Sequence, residues 1–252
     1  MVSVPVEGLR RPRAPRGSGD LLRHEILDAA TDLLLETGQA RAVSIRSVAQ
    51  RVGVTSPSIY LHYEDKESLL DAVCARYLAR LDQAMEEVAI GQPSTVDVLR
   101  AQGLAYVRFA VQTPELYRLA TMGEWRRGSN ADMALESTAF KHMCASVQTL
   151  MDEGVYRSDD PARIALELWT AAHGVAAMVI AKPHLPFGDV DAFADRVLGV
   201  VLCGHMVSGL VGPGATSAQL VEWVMAHRLS EASSSEGSHE HDAEHDGTAT
   251  GE

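Results

Sequence analysis

The stretch VTSPSIYLHYEDKESLL, Val54 to Leu70, packs a proline, three aromatic-type rings and a cluster of charges into one short span. An ordinary core helix does not look like this. Thr55 or Ser56 can cap a very short helix, with Pro57 tolerated in its first turn. Val54 and Ile59 are the apolar anchors. Thr55, Ser56, Ser58, Tyr60 and His62 fall on or beside the outward face. These are short or planar donors, suited to phosphates and base edges. Asp65 then caps a long helix running to about Val88.

The segments upstream complete the pattern. Leu22, Ile26, Ala29, Ala30, Leu33 and Leu34 make one helical stripe that stops near Gly38. Ser44 can cap a second helix with the stripe Ile45, Val48, Ala49 and Val52, broken by Gly53. A short helix, a tight Gly-containing turn and a second short helix form a helix-turn-helix, about 45–64, whose second helix enters the DNA major groove.

ILDAATDLLLETG and VSIRSVAQRVGVTSPSIYLHYEDKESLL, with their spacing, resemble the TetR family of bacterial transcriptional regulators over roughly residues 21–70. The resemblance implies that Tyr60, His62 and Lys66 contact phosphates, and that Ser44 and Arg46 also grip the backbone. Two departures are visible: Tyr63 stands where Phe is usual, and Pro57 where Gly is common.

Net charge, −12, argues at first against a nucleic-acid partner. Its distribution reverses that. From Ser230 onward there are seven carboxylates and no Lys or Arg, whereas Gly38–Tyr63 holds Arg41, Arg46 and Arg51 and no acid. Arg10, Arg11, Arg13 and Arg16 make the first stretch basic. Residues 1–20 read as a flexible basic arm, 21–82 as the DNA-binding domain, 83–229 as a helical ligand-binding and dimerisation domain, and 230–252 as a disordered acidic tail.

The period is helical throughout and no β alternation survives, so the expected fold is all-α. Helices are expected at about 95–112, 114–122, 131–152, 161–182, 190–210 and 217–229, with KPHLPFGD and VGPGATS as breaks. Scarce aromatics, 5%, predict a core of mostly Leu, Val and Ala. Cys74, Cys144 and Cys203 are expected as buried free thiols. No apolar run approaches the roughly 20 residues of a membrane span, and no signal-peptide pattern is present, so the expected compartment is the cytoplasm.

The resemblance implies a ligand-binding, dimerising domain after about residue 83. WTAAHG places Trp169, His173 and Gly174 in the Trp-x-x-x-His-Gly arrangement of the WHG class of C-terminal domains. Its alternative reading is a satisfied core histidine beside a close helix approach. Tyr106, Phe109, Tyr117, Met122, Trp125, Phe140, Met143, His173 and Met178 are the candidate lining of a pocket for a small apolar or amphipathic ligand. The same residues serve equally as core. Gly199, Cys203, Gly204, Ser208 and Gly209 make the 190–210 helix small-sided, which suits a homodimer interface across a two-fold axis, or tight packing within one subunit.

No phosphate loop, HExxH or nucleophile elbow is present, so no catalytic residue, metal site or cofactor is expected. SHEHDAEHD has three histidines among acids but no scaffold to order them. The expected function is a homodimeric repressor released from double-stranded operator DNA by its ligand. The alternatives are an activator, a ligand-independent regulator, or a helical small-molecule-binding protein or enzyme with a vestigial DNA module.

Overall fold

The computed structural model describes residues 19–122, 138–212 and 214–237; there the chain is helical, with no strand. Ten α-helices follow in order: α1 Gly19–Thr37, α2 Ile45–Val52, α3 Ser56–Tyr60, α4 Lys66–Ala89, α5 Thr95–Gln112, α6 Pro114–Met122, α7 Thr138–Asp152, α8 Pro161–Ala181, α9 Val190–Val211 and α10 Ser217–Gly237. A single 3-10 turn, Ala40–Ala42, links α1 to α2.

The chain ends each early helix by local chemistry. Gly38 and Gly53 take the left-handed conformation that closes α1 and α2. Ser44 accepts from the Ser47 N–H while the Ser47 hydroxyl accepts from Ser44, a reciprocal capping box. Asp65 and Ser68 repeat the device at the start of α4. Asp160 and Asp189 cap α8 and α9.

Helices α1 to α3 pack against the first half of α4 to make the N-terminal head. In the body, α5 is the central helix and touches α4, α7, α8 and α9. One apolar core runs from Ile26 and Leu34 through Ile59, Leu69 and Val73 to Val107, Ala176 and Leu198, so head and body share it. A second core of Leu99, Met143, Val147, Leu150, Ile164 and Leu202 sits among α5, α7, α8 and α9.

The core is mostly Leu, Val and Ala as expected, joined by Tyr63, Tyr77, Tyr106, Tyr117 and Tyr156, all buried. Other expectations need correction. Of the three free thiols only Cys74 is buried; Cys144 is half-buried and Cys203 exposed, because the outer face of α9 is as apolar as its inner one. For the same reason α8 and α9 are long and apolar enough, by length and composition alone, to cross a membrane. Glu167 and His173 in α8, and Asp195, Arg196 and His205 in α9, break each helix into shorter apolar runs in the sequence. Helix α10 continues past the expected end at Leu229 to Gly237, since extending an existing helix costs little. The basic arm up to residue 18, the expected helix start at 131–137 and the end of the acidic tail lie outside the described residues.

Candidate nucleic-acid interface and ligand cavity

Helices α2 and α3 meet at the left-handed Gly53, and the Gly53 and Val54 N–H groups both donate to the Ala49 carbonyl. That turn seats Ile59, fully buried, in the head core. The opposite face of α3 is bare. Tyr60 is 55% exposed, the one tyrosine of the six that faces solvent. Burying a ring that size is worth about 2 kcal/mol, so an exposed tyrosine on a five-residue helix is not there for packing. Thr55 is exposed, and Ser56, Ser58, His62 and Lys66 are half-buried along the same edge. The Thr55 and Ser58 hydroxyls lie 3.0 Å apart and steady each other at the helix start.

The other expected contacts divide. Arg46 is exposed on α2. The Ser44 hydroxyl is engaged in the capping box, which fixes the N-terminus of α2. Arg51, counted in the acid-free basic segment, is taken up by Glu36, its guanidinium donating at 2.9 and 2.6 Å. The pairing lowers the Glu36 pKa and raises that of Arg51. Arg41 donates to the Gln39 side chain at 2.5 Å.

In the body, an apolar cavity opens between α4, α5, α7, α8 and α9, lined by Met85, Gln102, Tyr106, Met143, Trp169 and Leu198 among others. It measures about 20 Å³, room for about one water. Gln102 is 3% exposed and its Oε1 accepts no hydrogen bond among the described residues. Sequence reasoning missed it. A lone glutamine on an amphipathic helix carries no signal until its helix is seen to face inward.

Beside the cavity three side chains converge. The Tyr106 and Tyr117 hydroxyls lie 3.1 and 2.9 Å from His173 Nδ1, and the Tyr117 hydroxyl is 3.2 Å from the His173 carbonyl. Trp169, one turn earlier on α8, packs its ring 5.9 Å from the imidazole. Burial lowers the His173 pKa and raises those of both phenols. The tautomer sets the directions: with the ring proton on Nε2, Nδ1 accepts from one of the two hydroxyls, and with it on Nδ1 the ring donates while the Tyr117 hydroxyl donates to the His173 carbonyl.

Of the nine expected pocket residues, Tyr106 and Met143 line this cavity, and Tyr117 and His173 back it. Phe140 packs on the second core. Phe109 lines a different cavity, between head and body. Met122 and Met178 are each about half exposed, at 48%, because they lie on outer helix faces that the 3.6 period alone does not distinguish. Trp125 lies outside the described residues.

On α9, Gly204, Cys203 and Ser208 are exposed and Gly199 is half-buried. A methyl added at Gly199 or Gly204 meets nothing within 4 Å, whereas one at Gly209 meets the Arg157 backbone at 3.4 Å. The stripe of small residues therefore splits: Gly209 serves packing within the subunit, and Gly199 and Gly204 face outward. Leu166 and Met178 on α8 and Val200 and Leu210 on α9 are exposed alongside.

Residues 26–73 match the model of the bacterial regulatory proteins, tetR family, and residues 99–201 that of the tetracyclin repressor-like C-terminal domain. The Trp-x-x-x-His-Gly assignment is left resting on Trp169, His173 and Gly174 themselves. The class D tetracycline repressor of Escherichia coli is 42% identical over 60 residues, 24% of this chain and only about a quarter, 27%, of the repressor. The HTH-type transcriptional repressor KstR2 of Rhodococcus jostii is 28% identical over 72% of this chain and 90% of its own. A solved structure from Rhodococcus sp. RHA1, a protein of unknown function, superposes with a TM-score of 0.65 at 25% identity, covering 73% of this chain and 95% of that one.

Proposed function

The chain belongs to the TetR family of bacterial transcriptional regulators, and from that premise we propose that it is a homodimeric, cytoplasmic repressor that leaves its operator when a small apolar or amphipathic molecule enters the body. The observation that carries the DNA-binding half is the bare outer face of α3, with Tyr60 displayed beside Thr55, Ser56 and Ser58 while Ile59 pins the opposite face. Tyr60, His62, Lys66 and Arg46 are the phosphate contacts in this reading. Thr55, Ser56 and Ser58 lie where base edges are read.

Support for dimerisation comes from the outward apolar and small residues of α8 and α9, which suit a four-helix contact between two copies. Support for the ligand comes from Gln102, a buried amide facing an apolar cavity with its oxygen unmet; such a group costs about 1–3 kcal/mol until a partner arrives. The cavity holds only about 20 Å³, so a ligand has to push its walls apart, and the methionines Met85 and Met143 yield most readily. A ligand that binds better to the opened body shifts the pair of heads to a spacing that misfits the operator, and the operator by reciprocity weakens the ligand.

Mobility shift on the DNA upstream of the chain's own gene, against a scrambled duplex, tests the reading. Selective retardation supports a sequence-specific regulator. Equal retardation of both sinks it and favours a small-molecule-binding protein with a vestigial DNA module.

A further inference from the structure

A second cavity lies at the seam between head and body, away from the one that Gln102 faces. It measures about 140 Å³ and is walled by Val73 of α4, Phe109 of α5 and Leu116 of α6. Apolar cavities of about 150 Å³ accept a single benzene ring, so the space matches one six-membered ring. The Phe109 ring is positioned to meet it, held by Tyr77 at 5.1 Å between centroids.

Two polar features mark where the ring's substituent goes. Tyr77 is 3% exposed, and its hydroxyl makes no hydrogen bond of normal geometry although Thr113 stands beside it. The Thr113 hydroxyl donates to the Phe109 carbonyl at 2.8 Å and keeps its lone pairs, but it stands outside hydrogen-bond geometry with Tyr77, whose proton meets no acceptor among the described residues. Arg80, exposed on α4, lines the same cavity, and no acidic partner for it is seen among the described residues. Its neighbour Arg76 is by contrast committed to Asp28, Thr31 and the Leu27 carbonyl of α1.

We propose that this cavity is a binding site for a small aromatic carboxylate, the ring between Val73, Phe109 and Leu116 and the carboxylate taken by the Arg80 guanidinium and the Tyr77 hydroxyl. A carboxylate is the complement because both unmet groups donate, and a guanidinium pairs best with a planar anion. The lining comes from α1, α4, α5 and α6, so an occupant ties the head to the body. Operator DNA and the occupant then change each other's affinity by the same factor.

The test uses the full chain and benzoate as probe, by isothermal titration calorimetry. Benzoate is expected to saturate one site per chain below about 10 mM, a modest affinity for so few atoms. Benzyl alcohol, the neutral ring, should bind about tenfold more weakly. R80A should lose that same factor for benzoate and leave benzyl alcohol unchanged. Y77F should bind benzoate severalfold more weakly, and its free form should melt no lower than wild type, since it sheds a hydroxyl without a proper partner. Absence of saturation, or equal benzoate binding by wild type and R80A, overturns the proposal. Arg80 is on the surface, so that variant folds whatever happens at Tyr77.

Discussion

Arg76 on α4 and Asp28 on α1, 48 positions apart, form an ion pair, and the same guanidinium donates to the Leu27 carbonyl at 3.0 Å and to the Thr31 hydroxyl. Asp28 is largely exposed, so the charge pair itself contributes little. The bonds to α1's carbonyl and to the buried Thr31 matter more. Arg76→Met should lower stability by about 1–3 kcal/mol, and Asp28→Asn by well under 1 kcal/mol. Urea unfolding of both variants compares them; equal losses would mean the carboxylate, not the backbone carbonyl, is the main partner.

Lys66→Ala and Tyr60→Phe should weaken operator and scrambled DNA about equally, because phosphate contacts carry no direct sequence information. Each lost charge contact should flatten the salt dependence by about 0.9 in log–log slope. Ser58→Ala should instead narrow the difference between the two duplexes, a mismatch being worth about 1–3 kcal/mol. Titrations at several salt concentrations separate the effects, and the reverse pattern would place α3 in the groove in another register.

The Tyr63 side chain is buried, its hydroxyl has no hydrogen-bond partner among the described residues, and burial raises its pKa. Arg23 lies over the ring at 5.5 Å, a contact phenylalanine keeps. Tyr63→Phe should therefore be neutral or stabilising by up to about 1 kcal/mol. A thermal midpoint several degrees lower would reveal a partner for the hydroxyl, such as an ordered water.

His173 is kept neutral by burial, its pKa lowered from the ordinary 6.5. Between its folded value and 6.5 the unfolded chain binds the extra proton, so stability is full above about 6.5 and falls as the pH drops through that window. His173→Gln should unfold earlier in urea at pH 8, through loss of the tyrosine contacts. It should also show a shallower decline from pH 7 to pH 5. An unchanged decline would assign the acid sensitivity elsewhere.

Gly204→Leu should leave the subunit folded, since a methyl there meets nothing within 4 Å among the described residues, yet weaken self-association, the overpacking costing about 1–3 kcal/mol at each of two symmetric positions. Sedimentation and circular dichroism together decide. An intact dimer would move the interface off this face of α9.

The head was legible because its signals are local. Gly38, Gly53, Ser44 and Asp65 each do near the chain what their chemistry allows, and the structure uses all four as expected. The body was legible only as helices. Which side of a helix faces inward depends on its neighbours: α8 and α9 are apolar nearly all round, so Met178 and Cys203 read like core residues but lie outside. Gln102 and Tyr77 carried no signal at all, because an unmet hydrogen bond is a property of surroundings. Arg51 lies in the acid-free segment only by sequence: its partner Glu36 lies on another helix, upstream of that segment.

Helix α4 begins with Lys66, a proposed phosphate contact, and is fastened to α1 ten residues later through Arg76. At about 1.5 Å per residue, some 15 Å of rod separate the two points. Tilting that rod by about 10° about its fastening carries Lys66 through about 2.6 Å, nearly the length of a hydrogen bond. Two copies swinging in opposite senses would alter the distance between their α3 helices by about 5 Å, against a half-site repeat of about 34 Å. In the proposed dimer each α4 would thus act as a lever arm, and small changes of packing near the pivot would suffice to take both ends out of step with the helical repeat of DNA.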